Sequence, residues 1–146
     1  MKQLDLSKKG IQAKIYVPKK DPKKGIRPAK LKRSKRGGAL ITAGNPFRMR
    51  VMQAPPARKI AKKKKDIKNM SGALKITFLK ENDSLLLYKK SLPGGGKKMF
   101  SFYLTKKVKG KPFVFEAGNG EFSKKDVEKM IRSANSIQPK KQKKTS

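Results

Sequence analysis

Apolar and polar residues alternate with period two along several short stretches of this chain, and a single stretch near its end carries helical spacing instead. Phe47, Met49 and Val51 fall on one side of an extended segment whose other side carries Arg48 and Arg50, so residues 47–52 predict a half-buried strand. Pro55 and Pro56 stop it. Upstream, Ile11 to Val17 alternates as a first short strand, and Ala39 to Thr42 follows the pair Gly37 and Gly38 as another.

From Gly72 onward the alternation becomes regular. Leu74, Ile76 and Phe78 alternate with Lys75 and Thr77, the turn residues Glu81, Asn82 and Asp83 follow, and Leu85 to Tyr88 returns as the second arm of a hairpin. A loop from Ser91 to Lys98, centred on Pro93 and three glycines, leads to Met99 to Leu104, where Phe100, Phe102 and Leu104 share a face. Gly110 turns the chain into Phe113 to Phe115. Four strands with short connections predict an antiparallel meander.

The last element is a helix with three start signals: Ser123 as its cap, Asp126 at the third helical position as in a capping box, and Phe122 placed to staple onto Val127. Val127, Met130, Ile131 and Ala134 recur at helical spacing as a narrow apolar stripe suited to lie on a sheet. Pro139 ends it. The pattern therefore predicts an α+β protein, mainly antiparallel β: a small β-meander sheet closed by one C-terminal helix, with a long basic N-terminal arm and a short basic C-terminal tail.

That division assigns residues 1–36 to a basic extended arm with one short strand, 37–70 to a strand and a lysine-rich linker, 71–137 to the meander and helix, and 138–146 to a basic disordered tail. The length of 146 residues suits one modest domain. Lys19 to Arg36 mixes lysine and arginine with two prolines and has no apolar periodicity, so it reads as an arm or loop whose ordering needs a partner. The run Lys62 to Lys65, followed by Asp66, has the composition of a tail or localisation signal.

Charge changes the picture most. The chain holds 41 lysines and arginines against 9 aspartates and glutamates, a formal net charge of +32. The first 70 residues carry 23 of the bases and 3 of the acids. Such an excess repels itself, and a polyanion relieves the repulsion. A nucleic-acid backbone, with one charge per about 1.7 Å of duplex axis, is the commonest supplier. An anionic membrane would need a long basic amphipathic helix or an anchor. No stretch approaches the roughly 18 apolar residues of a membrane span, and the first ten residues hold no apolar secretion signal, so neither a membrane nor secretion is expected.

Catalytic chemistry lacks its usual residues. The chain has no histidine, cysteine or tryptophan, which removes the imidazole base, the thiolate nucleophile and the zinc knuckle, and no cofactor or metal is expected. Gly94-Gly95-Gly96-Lys97-Lys98 lacks the first glycine and the Ser or Thr of a phosphate-cradling loop. It reads as a hairpin tip whose Lys97 and Lys98 touch a backbone. Glu81 and Asp83 read as turn residues.

Basic surface interleaved with aromatics remains. The candidate nucleic-acid contacts are Lys23, Lys24, Arg27, Lys30, Lys32, Arg33, Lys35 and Arg36 in the arm, with Arg48 and Arg50 on the outward side of their strand. Arginines so placed suit bidentate phosphate contacts, or simply a solvated face. The lysine run Lys62, Lys63, Lys64 and Lys65 adds four more. Phe100 and Phe102 are needed in the core, which leaves Tyr103, facing the other way, as the residue suited to stack on a base.

Between Arg36 and Ala134 the order of blocks is Arg-Gly-Gly-Ala-Leu-Ile (36–41), the alternating strand (47–52), Leu-Lys-Ile-Thr-Phe (74–78), Leu-Leu-Leu-Tyr-Lys-Lys (85–90), Phe-Tyr-Leu-Thr-Lys-Lys-Val (102–108), Lys-Pro-Phe (111–113) and a closing helix. This order resembles the small minor tail and tail-completion proteins of tailed bacteriophages. The resemblance implies a non-enzymatic virion component at the head-to-tail junction or along the tail, acting through oligomeric contacts and other virion or assembly proteins, with its basic surface toward DNA.

Two other classes fit the residues. One is a ribosomal-type protein with basic extensions in folded RNA, and the other a nucleoid or single-strand binding protein in the cytoplasm. DNA is favoured over RNA as the partner, and the virion over the cytoplasm as the location.

Overall fold

A computed structural model describes residues 2–19, 21, 23, 26, 28–34, 38–43, 47–54, 60–70, 72, 74–94, 98–118 and 120–139. Its elements are β1 (Lys2–Asp5), a 3₁₀ turn (Ser7–Lys9), β2 (Ala13–Val17), β3 (Lys30–Arg33), β4 (Ala39–Thr42), β5 (Arg48–Met52), α1 (Ile60–Met70), β6 (Lys75–Glu81), β7 (Leu85–Ser91), β8 (Lys98–Val108), β9 (Lys111–Ala117), α2 (Lys124–Asn135) and β10 (Gln138–Pro139). The protein is α+β and mainly antiparallel β.

Seven strands form one antiparallel sheet in the order β3-β4-β5-β9-β8-β7-β6. Its β6–β9 half is the expected meander. The sheet is larger than expected because β5 pairs with β9, Val51 opposite Phe115, and brings β4 and β3 with it. β1, β2 and β10 make a second, three-stranded antiparallel sheet.

The main core lies between one face of the large sheet and a layer built from the small sheet and α2. Ile41, Met49, Val51, Phe102, Phe113 and Phe115 come from the large sheet, Ile15 and Val17 from β2, and Val127, Met130 and Ala134 from α2. All are essentially inaccessible to water. The capping box of α2 is formed: the Asp126 amide donates to Ser123 Oγ at 3.2 Å, and the Ser123 amide donates to Asp126 Oδ2 at 2.9 Å. At the other end of α2, the Lys106 ammonium donates to the Asn135 carbonyl at 2.6 Å, where the helix dipole favours a cation. Burial lowers the Lys106 pKa from 10.5.

Four segments depart from the expected arm, linker and tail. The N-terminal stretch is built into the fold, because β2 buries Ala13, Ile15 and Val17 in the main core and β1 pairs along it. Within the basic stretch 19–36, Lys30–Arg33 forms the edge strand β3 against β4, an edge whose lysines discourage pairing with another chain. The lysine run expected in a linker is helical. Lysine is a good helix former, and Ile60 and Ile67, two turns apart, face the sheet. Beyond α2, Gln138 and Pro139 pair with Lys14 and Ala13 instead of opening a tail. Residues 140–146 lie outside the described residues.

Candidate nucleic-acid interface

The second face of the large sheet carries the candidate site. Directly opposed residues of antiparallel strands point to the same side, so the register orders this face into rows. One row runs Lys30, Thr42, Arg48, and ends at Gly118, whose amide donates to the Arg48 carbonyl at 2.9 Å. The next runs Lys32, Leu40, Arg50, Glu116, Tyr103, Leu86. Four of the predicted contacts, Lys30, Lys32, Arg48 and Arg50, therefore share one face of three adjacent strands.

They are not equivalent. Lys30, Lys32 and Arg48 are exposed, whereas Arg50 is largely buried and its Nη2 lies 2.9 Å from Glu116 Oε1. An arginine held by a half-buried carboxylate is poorly placed to take phosphate, which corrects the expectation for Arg50. Arg33 has the opposite parity, in register with the buried Ala39 and Val51, and leaves the row. Lys98 likewise shares parity with Phe100 and Phe102 on the core side, and Lys23 sits in the turn bridged by Asp21 and Ile26. Lys24, Arg27, Lys35, Arg36 and Lys97 lie outside the described residues.

Helix α1 covers the other half of this face. Ile60 and Ile67 pack beside Leu86, Tyr88, Tyr103 and Val114. Between them, Lys63 and Lys64 turn inward: the Lys63 ammonium lies 4.8 Å from the Tyr103 ring centroid, and that of Lys64 lies 4.9 Å from the Phe78 ring and 2.5 Å from Glu81 Oε2. Lysine stems thus serve as the helix's apolar face, with each charge set against a ring or carboxylate. Lys62 and Lys65 point outward and are exposed. The lysine run therefore divides into two surface cations and two packing residues. Tyr103 is 6 % exposed, and the ring expected to receive a base is occupied by the chain's own Lys63.

Beside α1 the face opens into a groove of about 410 Å³ between the helix, the facing ends of β7, β8 and β9, and the segment after β9. Tyr88, Ser101, Tyr103 and Phe122 line it with Lys63 and Lys90. Burial pushes the Tyr88 phenol up, partly offset by its hydrogen bond with Ser101. Burial and then the Glu116 charge push Tyr103 up, partly offset by Arg50. Gly118 belongs to the groove's rim, and a Cβ there would come 2.7 Å from Arg48 Cγ, so the first basic row abuts the groove. The sequence reading missed Lys90, whose ammonium lies 5.7 Å from the Tyr88 ring. Its place in the block Leu-Leu-Leu-Tyr-Lys-Lys, two residues from Tyr88 and so on the same face, was the available signal.

The fold and this face define an α+β protein with a cationic, aromatic-backed sheet face. Comparison with protein-family models, with curated proteins and with solved structures yields no match to the chain. Among the described residues no three His, Cys, Asp or Glu side chains cluster to hold a metal, and no helix is long and apolar enough to cross a membrane.

Proposed function

We propose that this is a non-enzymatic, nucleic-acid-facing structural protein that lays the second face of its large sheet along a phosphate backbone. The observation that carries the reading is the gathering of exposed cations on that face: Lys30, Lys32 and Arg48 in register on β3 and β5, and Lys62 and Lys65 on the outer side of the helix that covers the same face. The opposite face is committed to the core. The cation-rich segments 19–36 and 138–146 supply further phosphate contacts, and α2 closes the sheet from behind. The proposed setting is a bacteriophage virion, at the head-to-tail junction or along the tail, with DNA and other virion proteins as partners. The block-order resemblance supports that setting.

The test is a salt titration of binding to duplex DNA. The log of affinity should fall linearly with log salt, by about 0.9 for each phosphate neutralised, and Lys32→Glu with Arg48→Glu should lower both the affinity and the slope. A flat salt response, or a slope indifferent to these changes, removes the reading. Particles isolated without nuclease should hold the protein with other phage proteins at fixed stoichiometry. Ribosomal RNA in its place would favour the ribosomal-type alternative.

A further inference from the structure

Resting on the polyanion reading above, we propose that the groove beside α1 receives one unpaired nucleobase of a single strand whose phosphates lie along Lys30 and Arg48. Three features meet there. The row Lys30, Thr42, Arg48 ends at Gly118 on the groove's rim, so a backbone following the row arrives at the opening. Arg48 and Ser101 stand on strands separated only by β9 and level with each other by the register, about 10 Å apart at ordinary strand spacing, within reach of a base swung away from its sugar–phosphate. The volume, about 410 Å³, falls in the range of sites that enclose small planar ligands.

The lining suits a base and not a bare anion. Tyr88 and Phe122 present aromatic carbon, the Tyr103 ring being covered by Lys63, and Ser101, the two phenol hydroxyls, Lys63 and Lys90 present donors and acceptors at its edge. Glu116, also in the lining and paired with Arg50, disfavours a phosphate at the bottom while accepting from an N–H on a base edge, the ring N3–H of thymine included. A base within a duplex reaches such a groove only after unstacking and unpairing, at a cost of a few kcal/mol. The groove therefore makes the face prefer single strands, a selectivity that rows of surface cations alone do not supply.

The experiment compares the full-length protein's affinity for a labelled oligothymidylate, for an abasic sugar–phosphate strand of the same length, and for free thymidine monophosphate. The base-bearing strand should bind at least about fivefold tighter than the abasic one, the lower end of what one base–aromatic contact gives. Ser101→Leu, which fills the groove, should bring that ratio to about one. Lys90→Met, a change at a partly buried stem that keeps its apolar length, should reduce it with less risk to the fold. Equal affinity of the unaltered protein for the two strands, or a ratio untouched in both variants, overturns the groove proposal and leaves the phosphate reading standing. Failure to bind either strand or duplex DNA removes the phosphate reading itself. Thymidine monophosphate saturating the protein at the same concentrations as the strand reassigns the groove to a free nucleotide and overturns the proposal.

Discussion

The Lys63 ammonium lies 4.8 Å from the centroid of the Tyr103 ring, so a cation of the lysine run is spent inside the molecule holding α1 to the sheet. Its neighbour Lys62 is exposed on the far side of the same helix turn. The two should respond oppositely to removal. Lys63→Ala should cost about 1 kcal/mol of stability through the lost cation–ring contact and stem packing, with little loss of salt-dependent affinity. Lys62→Ala should leave stability within about 0.5 kcal/mol and weaken DNA binding by one phosphate contact. Urea midpoints and binding isotherms on both variants check this, and equal behaviour would mean the helix does not sit as described.

Tyr88 and Tyr103 predict an alkaline signature. Both phenols are raised above the ordinary 10.0, chiefly by burial. A group with a raised folded pKa binds its proton more tightly in the folded state. Its stabilising contribution is fully present below pH 10.0 and is lost as the pH rises through the raised value. Stability should therefore fall above pH 10.0, and Tyr88→Phe or Tyr103→Phe should flatten that fall. Phenolate absorbance should show each variant missing a late-titrating step. Unchanged alkaline curves in both variants would contradict the buried placement.

Much of this fold was legible because its signals are local. Period two in Phe47 to Met52 and Met99 to Leu104 marked strands, and Ser123 with Asp126 marked the start of α2, since alternation and capping depend on near neighbours. What stayed hidden depends on distant partners. Lys-Leu-Lys-Arg at 30–33 is a strand only because Ala39–Thr42 offers it a ladder, with Leu31 as its one apolar residue packed against the core. The helix at 60–70 looks like a linker until the aromatic face beneath it gives its lysine stems something to cover. For the site, residue type foretold the cations Lys30, Lys32 and Arg48. That Arg50 is taken by Glu116 follows from the β5–β9 pairing across 66 positions of sequence, which no local pattern carries.

Gly38 tests the junction that brings β4 into the sheet. Its φ is +72°, and a Cβ there would lie 2.2 Å from the Val51 carbonyl oxygen. Flexible side chains can move aside, but a strand carbonyl in the ladder cannot. Gly38→Ala should therefore destabilise by about 1–3 kcal/mol from the backbone conformation alone, with the clash added. Gly94→Ala is the control: its φ is +84° but nothing lies within 4 Å, so it carries the conformational cost without the clash. Thermal unfolding of the two variants should separate them, and equal losses would show that Gly38 does not meet Val51.

Arg48 and Arg50 stand two residues apart on the same face of one strand, yet their roles divide. Arg48 is exposed and is the last side chain of the row before the groove, while Arg50 is held 2.9 Å from Glu116 with its side chain 13 % exposed. Removing one member of a largely desolvated pair leaves the other charge uncompensated, so Arg50→Ala should cost about 2 kcal/mol of stability. Arg48→Ala should cost little stability but lower the DNA affinity and reduce the magnitude of its salt slope by about 0.9. Arg50→Ala with Glu116→Ala should recover part of the stability lost by Arg50→Ala alone, because no buried charge is then left without a partner. The measurement is a four-variant urea series paired with salt titrations. If Arg50→Ala loses affinity as Arg48→Ala does while keeping its stability, then Arg50 is a phosphate ligand and its contact with Glu116 is incidental.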